Sequence, residues 1–248
     1  QKYNTKMKKV YTHALTLTAD NLENTLIDNV EKCIHFCKMK KIPIHPMYSK
    51  HELFSYTTYL QQYFIKKPKL NFEELRVSTD TLYTLTRPEE SYQICDYIKR
   101  HFKPVGIIDS NANNGPFSIL LSYEFKQVYA CEKDPINYEY LLHNIKVYNR
   151  KNITTLKGSV FDMITTIKNT TELCLWMDYT TFDFEDQSIS DGSYLEWLSL
   201  FLSMIDIPYI CLKIPIDALP LDYEDILNKF EFIKLYEMDT YYVVLLKK

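Results

Sequence analysis

The 248-residue chain reads as an α/β fold: a mostly parallel seven-stranded sheet that ends in an antiparallel hairpin, behind an N-terminal helical extension. Three observations predict it. Short apolar runs alternate with helical patterns from residue 86 onward, as expected of strands covered on both faces by crossover helices. Three of these runs end in an acid. The last two are separated only by residues 237–240, too few for a parallel crossover, so they pair antiparallel.

The elements follow in order. Leu22, Leu26, Val30, Ile34 and Cys37 recur at helical spacing and predict an amphipathic helix over 20–40, ended by Pro43 and Pro46. Ser49-x-x-Glu52 is a capping box for a second helix with Leu53, Tyr56, Leu60 and Phe64 on one face, stopped by Lys66-Lys67-Pro68. Thr86-x-x-Glu89, with Pro88 in the first turn, predicts a third helix to about His101. Strands are then expected at Val105–Asp109, Gln127–Glu132, Ile153–Lys157, Leu173–Asp178 and Tyr209–Lys213, closed by Phe230–Tyr236 and Tyr241–Leu246. Helices are expected between them at 116–124, 135–148, 192–204 and 222–229. The expected division is a helical extension over 1–75 and a sheet domain over 76–248.

Composition bounds the function. A hydrophobic share of 46 % and a charged share of 25 % describe an ordinary globular chain. No apolar run approaches the roughly 20 residues that span a bilayer, and Gln1–Lys9 is polar and basic, unlike a signal peptide. No membrane partner is expected. Cys33, Cys37, Cys95, Cys131, Cys174 and Cys211 form no C-x-x-C pair, and three of them lie in strand-like apolar runs. Unpaired core thiols point to a reducing, cytoplasmic setting. Neither these nor the six histidines have metal-ligand spacing, so no metal is expected. The net charge of −3 gives no global pull toward nucleic acid, but lysines crowd residues 1–70 while acids gather at 183–191 and 217–225. That asymmetry fits either a solvated face or a basic face that meets an RNA backbone.

Chemistry is expected at the carboxyl ends of the strands, where doubly wound sheets bind ligands. Asp109, Glu132 and Asp178 end the first, second and fourth strands. Glu132 is placed where an acid reaches a ribose, accepting its hydroxyl protons. The loop Asp109-Ser-Asn-Ala-Asn-Asn-Gly115-Pro-Phe keeps one glycine of a D-x-x-x-G-x-G-G pattern. Asn113 is the residue expected to adopt left-handed backbone in a glycine's place, and Pro116 removes an N–H donor.

These residues, with Tyr83-Thr-Leu-Thr86-Arg-Pro88-Glu89, Val128-Tyr-Ala-Cys-Glu-Lys-Asp134-Pro135, Leu142-x-Asn144-x-x-x-Tyr148-Asn149 and Lys213-Ile-Pro215, resemble the trimethylguanosine synthase-like group of class I methyltransferases. The resemblance covers about residues 72–248 and includes relatives in large DNA viruses. It implies a Rossmann-like class I methyltransferase fold, S-adenosylmethionine as cofactor, and RNA, in that group capped, as substrate methylated at guanine N2. It also implies cofactor contacts from Asp109, Asn111, Asn113, Gly115, Glu132, Ser159 and Val160, where Ser159 stands in place of an acid that holds the adenine amine. The group's Pro-Pro-Trp catalytic loop is replaced by Asp178-Tyr-Thr-Thr-Phe182. Asp178 remains as amine acceptor or base, and Tyr179 or Phe182 as a stacking surface.

A second catalytic reading joins Asp178, Lys213 and Glu237, which stand where ribose 2′-O-methyltransferases carry Asp, Lys and Glu. In that chemistry the lysine deprotonates the acceptor hydroxyl; Lys99 and Lys103 are the nearest candidates for its partner lysine. Two functions thus stand side by side. One is an S-adenosylmethionine-dependent RNA methyltransferase, cap-related. The other is a subunit of the same fold that has lost catalysis, and with it the cofactor, and that binds RNA or stimulates a partner subunit in a capping or RNA-processing complex.

Overall fold

In the computed structural model seven strands follow one another as β1 (Gly106–Asp109), β2 (Gln127–Glu132), β3 (Ile153–Lys157), β4 (Leu173–Asp178), β5 (Tyr209–Pro215), β6 (Glu231–Glu237) and β7 (Tyr241–Lys247). They lie side by side in the order β3-β2-β1-β4-β5-β7-β6. The first five are mutually parallel, and β7 runs antiparallel to both β5 and β6. This is the Rossmann-like sheet with a terminal hairpin expected from the sequence. The structure describes residues 53–54, 60–78, 81, 84–178, 200–216 and 228–248, all within the unit Pro46–Lys248.

The helices are α1 (Pro88–His101), α2 (Pro116–Glu124), α3 (Pro135–Val147) and the single turn α4 (Val160–Met163). On one face of the sheet Ile94 and Ile98 of α1, Ile119 and Leu120 of α2 and Leu141 of α3 pack against Ile107, Val128, Trp176 and Cys211. On the other face Val160, Phe201, Leu202 and Ile205 cover Ile108, Leu175, Met177 and Leu212. Burial on both faces explains why these strands are continuously apolar rather than alternating. Truncating such a core side chain to alanine costs about 2–5 kcal/mol. Cys95, Cys131, Cys174 and Cys211 are free and buried, as read for the three strand cysteines, and burial pushes their thiols up. Trp176 is buried in β4, as expected.

Segment 60–78 belongs to the same core. Leu60, Phe64, Leu75 and Val77 are fully buried among the residues under α3. Polar side chains stitch the segment down: Asn144 Nδ2 donates to the Arg76 carbonyl (2.6 Å) and the Asn114 carbonyl (2.8 Å), and Asn144 Oδ1 accepts from Arg76 N–H (2.9 Å). Asn114 Oδ1 accepts from Ser78 N–H (3.0 Å) and from the Thr81 hydroxyl (2.5 Å). Buried amides satisfied in this way fix position rather than merely tolerate burial. A two-residue antiparallel pair, Leu53–Phe54 with Val77–Ser78, lies beside it.

Two local expectations are corrected. Leu53, read on one face of a second helix, lies instead in a short strand, Leu53–Phe54, paired with Val77–Ser78. Thr86 does not cap α1; Arg87 is the cap residue, with no side-chain hydrogen bond. Pro88 takes the first helical position and drives its predecessor into extended backbone, which leaves Thr86 one residue too early. By contrast, Asp134 caps α3 by accepting from Ile136 and Asn137 N–H (2.9 and 2.8 Å). The expected helix over 20–40, the Ser49 capping box, most of the expected helices at 192–204 and 222–229, Tyr179, Phe182 and Trp197 lie outside the described residues. Among the described residues no helix is long and apolar enough to cross a membrane, and no group of three ligating side chains could hold a metal ion.

Candidate cofactor and acceptor site

Strand register brings the three acids together. Asp109 is opposite Ala130 on β2 and Trp176 on β4. Glu132 and Asp178 follow those partners by two residues, so alternation puts all three carboxylates on one sheet face and at the carboxyl end. The strand order reverses between β1 and β4, so the acids flank the switch point.

The loop from β1 to α2 crosses this rim closely. Asn113 (φ 51°) and Gly115 (φ 93°) both adopt left-handed backbone. Asn113 therefore does take the conformation a glycine would hold, at the cost that accompanies left-handed geometry in any side-chain-bearing residue. At Gly115 any side chain would strain the left-handed backbone, and an added Cβ, 2.6 Å from Leu141 Cδ1, would also push that buried leucine aside. Glu132 holds the loop in place: its Oε2 accepts Asn113 N–H and its Oε1 accepts Asp134 N–H, each at 2.8 Å. A carboxylate oxygen has two acceptor directions, so these two bonds leave acceptor capacity on each oxygen, although Glu132 is buried and does not line the adjoining cleft. Burial pushes the Glu132 carboxyl up to about 7, against the two backbone N–H groups that lower it. Burial likewise pushes Asp109 up to about 6, opposed by the Ser118 hydroxyl, which donates to Asp109 Oδ2 at 2.5 Å.

A cleft opens at this rim. It is lined by Thr84–Thr86, just before α1, by Asn111–Asn113, and by Asp109 and Asp178; Asn113 Nδ2 donates to Thr84 Oγ1 at 3.3 Å. Phe117 and Trp176 also line it, their rings tilted at 5.1 Å. It is shallow and open to solvent on one side.

Asp178 and Lys213 are register partners, and Lys213 Nζ donates to Asp178 Oδ2 at 2.8 Å with both side chains buried. The ammonium also sits 4.5 Å over the Tyr241 ring, and the Tyr241 hydroxyl donates to Glu90 Oε2 at 2.9 Å. Burial pushes that hydroxyl up, and the Glu90 charge adds to it. The chain Asp178–Lys213–Tyr241–Glu90 thus links β4, β5, β7 and α1.

Not every candidate joins it. Glu237 is exposed and opposite Tyr242, whose side chain packs on the other sheet face, so the expected Asp-Lys-Glu grouping is not formed through Glu237. Lys99 pairs with Glu124, nine residues along α1 from Glu90, roughly 13 Å by helical rise; Lys103 lies beyond the end of that helix. Ser159 caps α4, its Oγ accepting from Phe161 N–H, and Val160 is buried in the core. Neither lines the cleft, although Gly158 N–H donates to the Glu132 carbonyl and keeps this turn beside β2. Glu90, Tyr241 and Ser118 were not singled out in the sequence. Strand parity from Lys213 could have found Tyr241, which shares its face; nothing local marks Glu90 or Ser118.

Comparison with protein-family models finds no match, and neither does comparison with curated proteins. The chain is similar in structure to Trm5b from Pyrococcus abyssi (22 % identity, 70 % of this chain and 53 % of that one, TM-score 0.46), so it spans about half of that protein. It is also similar to an rRNA methylase from Streptococcus thermophilus (13 % identity, 66 % and 97 % covered, TM-score 0.44). A third is SMU.1697c of Streptococcus mutans, named as a methyltransferase and solved in complex with SAH (17 % identity, 66 % and 99 % covered, TM-score 0.44).

Proposed function

We propose that this chain is an S-adenosylmethionine-dependent methyltransferase acting on RNA, with a cap-proximal nucleotide as acceptor. The observation that carries the reading is the set Asp109, Glu132 and Asp178 on one face of neighbouring strand ends, crossed by a loop that is left-handed at Asn113 and Gly115. Such a rim suits a nucleoside. Glu132 accepts the ribose hydroxyls, while Asn111, Asn113 and Gly115 let the backbone come close. Ser159 and Val160, at the neighbouring turn, are assigned to the base. The cofactor supplies a methyl group on a positively charged sulfur, and the buried Asp109 carboxylate, in its ionised form, favours that charge in a site of low dielectric. RNA as substrate rests on the family resemblance and on the lysine-rich residues 1–70.

At the acceptor side, Asp178 and Lys213 are assigned the handling of the acceptor proton, with Tyr179 as stacking surface. Lys213 stays between Asp178 and the Tyr241 ring, so a hydroxyl or amine presented at Asp178 meets an acceptor oxygen whose charge is already balanced. The second reading, a non-catalytic RNA-binding or stimulatory subunit, is favoured by the single glycine of the Asp109–Phe117 loop and by Ser159 in an acid's place.

Calorimetric or thermal-shift titration with S-adenosylmethionine and S-adenosylhomocysteine separates the two. Binding raises the unfolding temperature by mass action. The methyltransferase reading expects a shift that Glu132→Gln reduces. No shift at millimolar ligand rejects it in favour of the second.

A further inference from the structure

We infer that the edge formed by residues 66–69 and 146–151 is a phosphate-backbone binding surface for RNA, at the end of the sheet opposite the acidic rim. The identity of the polyanion rests on the RNA reading above; the surface itself does not depend on catalysis. Segments 65–70 and 146–152 carry Lys66, Lys67, Lys69, Lys146, Arg150 and Lys151 and contain no acid. They are distant in sequence and are brought together by one residue. The Tyr148 ring stacks on Phe64 (6.1 Å), its hydroxyl donates to the Ile65 carbonyl (2.7 Å), and its own carbonyl accepts from Lys67 Nζ (3.2 Å). Tyr148 is fully buried, so the two basic segments are held side by side rather than drifting together.

Lys66, Lys69, Lys146 and Lys151 are exposed and form no ion pair among the described residues. Helix-dipole complementarity accounts for Lys146 in the last turn of α3, but not for the others. Arg150 is different. Its Nε–H donates to Ser122 Oγ (2.7 Å) and a terminal N–H to the Ser122 carbonyl (2.5 Å), which lays the guanidinium over the exposed Tyr123 ring at 3.8 Å. A fixed planar cation on an exposed ring, flanked by long-stemmed lysines, is a fitting surface for a phosphate backbone with a base beside it. Neither segment exposes a large apolar side chain, and the one exposed ring beside them, Tyr123, lies under the Arg150 guanidinium, which disfavours insertion into a lipid layer. α3 spans the distance from the acid rim to this edge, about 20 Å by helical rise. An RNA held here can extend to the rim.

The test is fluorescence anisotropy of the full chain with a labelled 20-nucleotide RNA over a KCl series, beside K66E/K69E/K146E/K151E and its all-glutamine counterpart. The expected result is at least tenfold weaker binding for the glutamate variant and a smaller loss for the glutamine variant. The slope of log affinity against log salt should flatten by about 0.7 for each phosphate no longer neutralised. Charge reversal elsewhere, at Lys168 and Lys234, should stay within twofold of the unchanged chain. Equal binding by the quadruple variants overturns the proposal, as does binding of phosphatidylserine vesicles without RNA. S-adenosylhomocysteine titration in parallel keeps the readings apart. Patch-dependent RNA binding without cofactor binding removes the enzyme alone, and cofactor binding with an indifferent patch removes the RNA surface alone.

Discussion

Asp178 and Lys213 face each other across the parallel β4–β5 pair and close a buried ion pair of 2.8 Å at the base of the acidic rim. Register creates this pair, since both residues fall on the same sheet face as Trp176 and Cys211. Neutralising either partner strands a buried charge, which costs about 3–5 kcal/mol, whereas replacing both is nearly neutral. Asp178→Asn and Lys213→Met should therefore each be strongly destabilising in urea, and the double variant should recover most of the loss. Single effects that simply add would mean the two charges do not interact.

Tyr241 tests whether that pair depends on a scaffold. Tyr241→Phe keeps the ring under the Lys213 ammonium and loses the bond to Glu90, a hydrogen bond to a charged group worth about 1.5–3 kcal/mol. Tyr241→Leu also loses the ring. Phe should lower the urea midpoint modestly and Leu markedly more. A Phe variant as damaging as Leu would assign the whole effect to the hydroxyl.

The acidic rim predicts a pH dependence. Glu132 lies at about 7 and Asp109 at about 6 in the folded chain, above the ordinary 4.5 and 3.8 of these carboxyls. Folded chains then hold more protons than unfolded ones from about pH 4 to 7, so these two groups make stability fall as pH rises through that window. Glu132→Gln should flatten the fall, read from urea midpoints between pH 4 and 8. Ligand affinity should run the other way. Ribose hydroxyls need the ionised Glu132 as acceptor, so S-adenosylhomocysteine should bind more tightly at pH 8 than at pH 5.5, by at most tenfold per pH unit.

The sheet was legible in the sequence because its strands are short, apolar and bounded by acids, and because four residues cannot connect parallel neighbours. The acid rim followed from position alone: three strands ending in Asp109, Glu132 and Asp178 needed only parallel register to align. Asn113 was legible too, since few other residues tolerate its left-handed backbone. Glu90 and Tyr241 were not, because their meeting depends on how α1 lies across β7, a relation that no local pattern encodes. Glu237 misled for a related reason. Proximity in sequence to the last strand says nothing about face, and one step of strand alternation puts it on the wrong side. Thr86 misled because Pro88 moved the helix start by one residue.

The β1–α2 loop gives two opposite expectations for small substitutions. Gly115→Ala must hold φ near 93° with its Cβ against Leu141, and strain of this kind costs of order 1–3 kcal/mol. Asn113→Gly retains the left-handed backbone without strain, so it should change thermal stability little, while Asn113→Ala should lower it by about 1 kcal/mol. Equal tolerance of alanine at both positions would mean the loop relaxes out of this conformation.

Trp176 offers a direct report on where a ligand binds. It is buried in β4, tilted against Phe117, and both rings line the cleft beside Asp109 and Asp178. A W197F background leaves it as the single tryptophan. A nucleoside seated beside Thr84–Thr86 and Asn111–Asn113 lies against Phe117, and the indole then meets a changed dielectric. Titrating S-adenosylhomocysteine should quench or shift the Trp176 emission, with a midpoint equal to the calorimetric dissociation constant. Phe117→Leu should alter the amplitude more than the midpoint, because it changes the ring contact and leaves the carboxylates in place. Calorimetric binding with a silent Trp176 would put the ligand away from this rim.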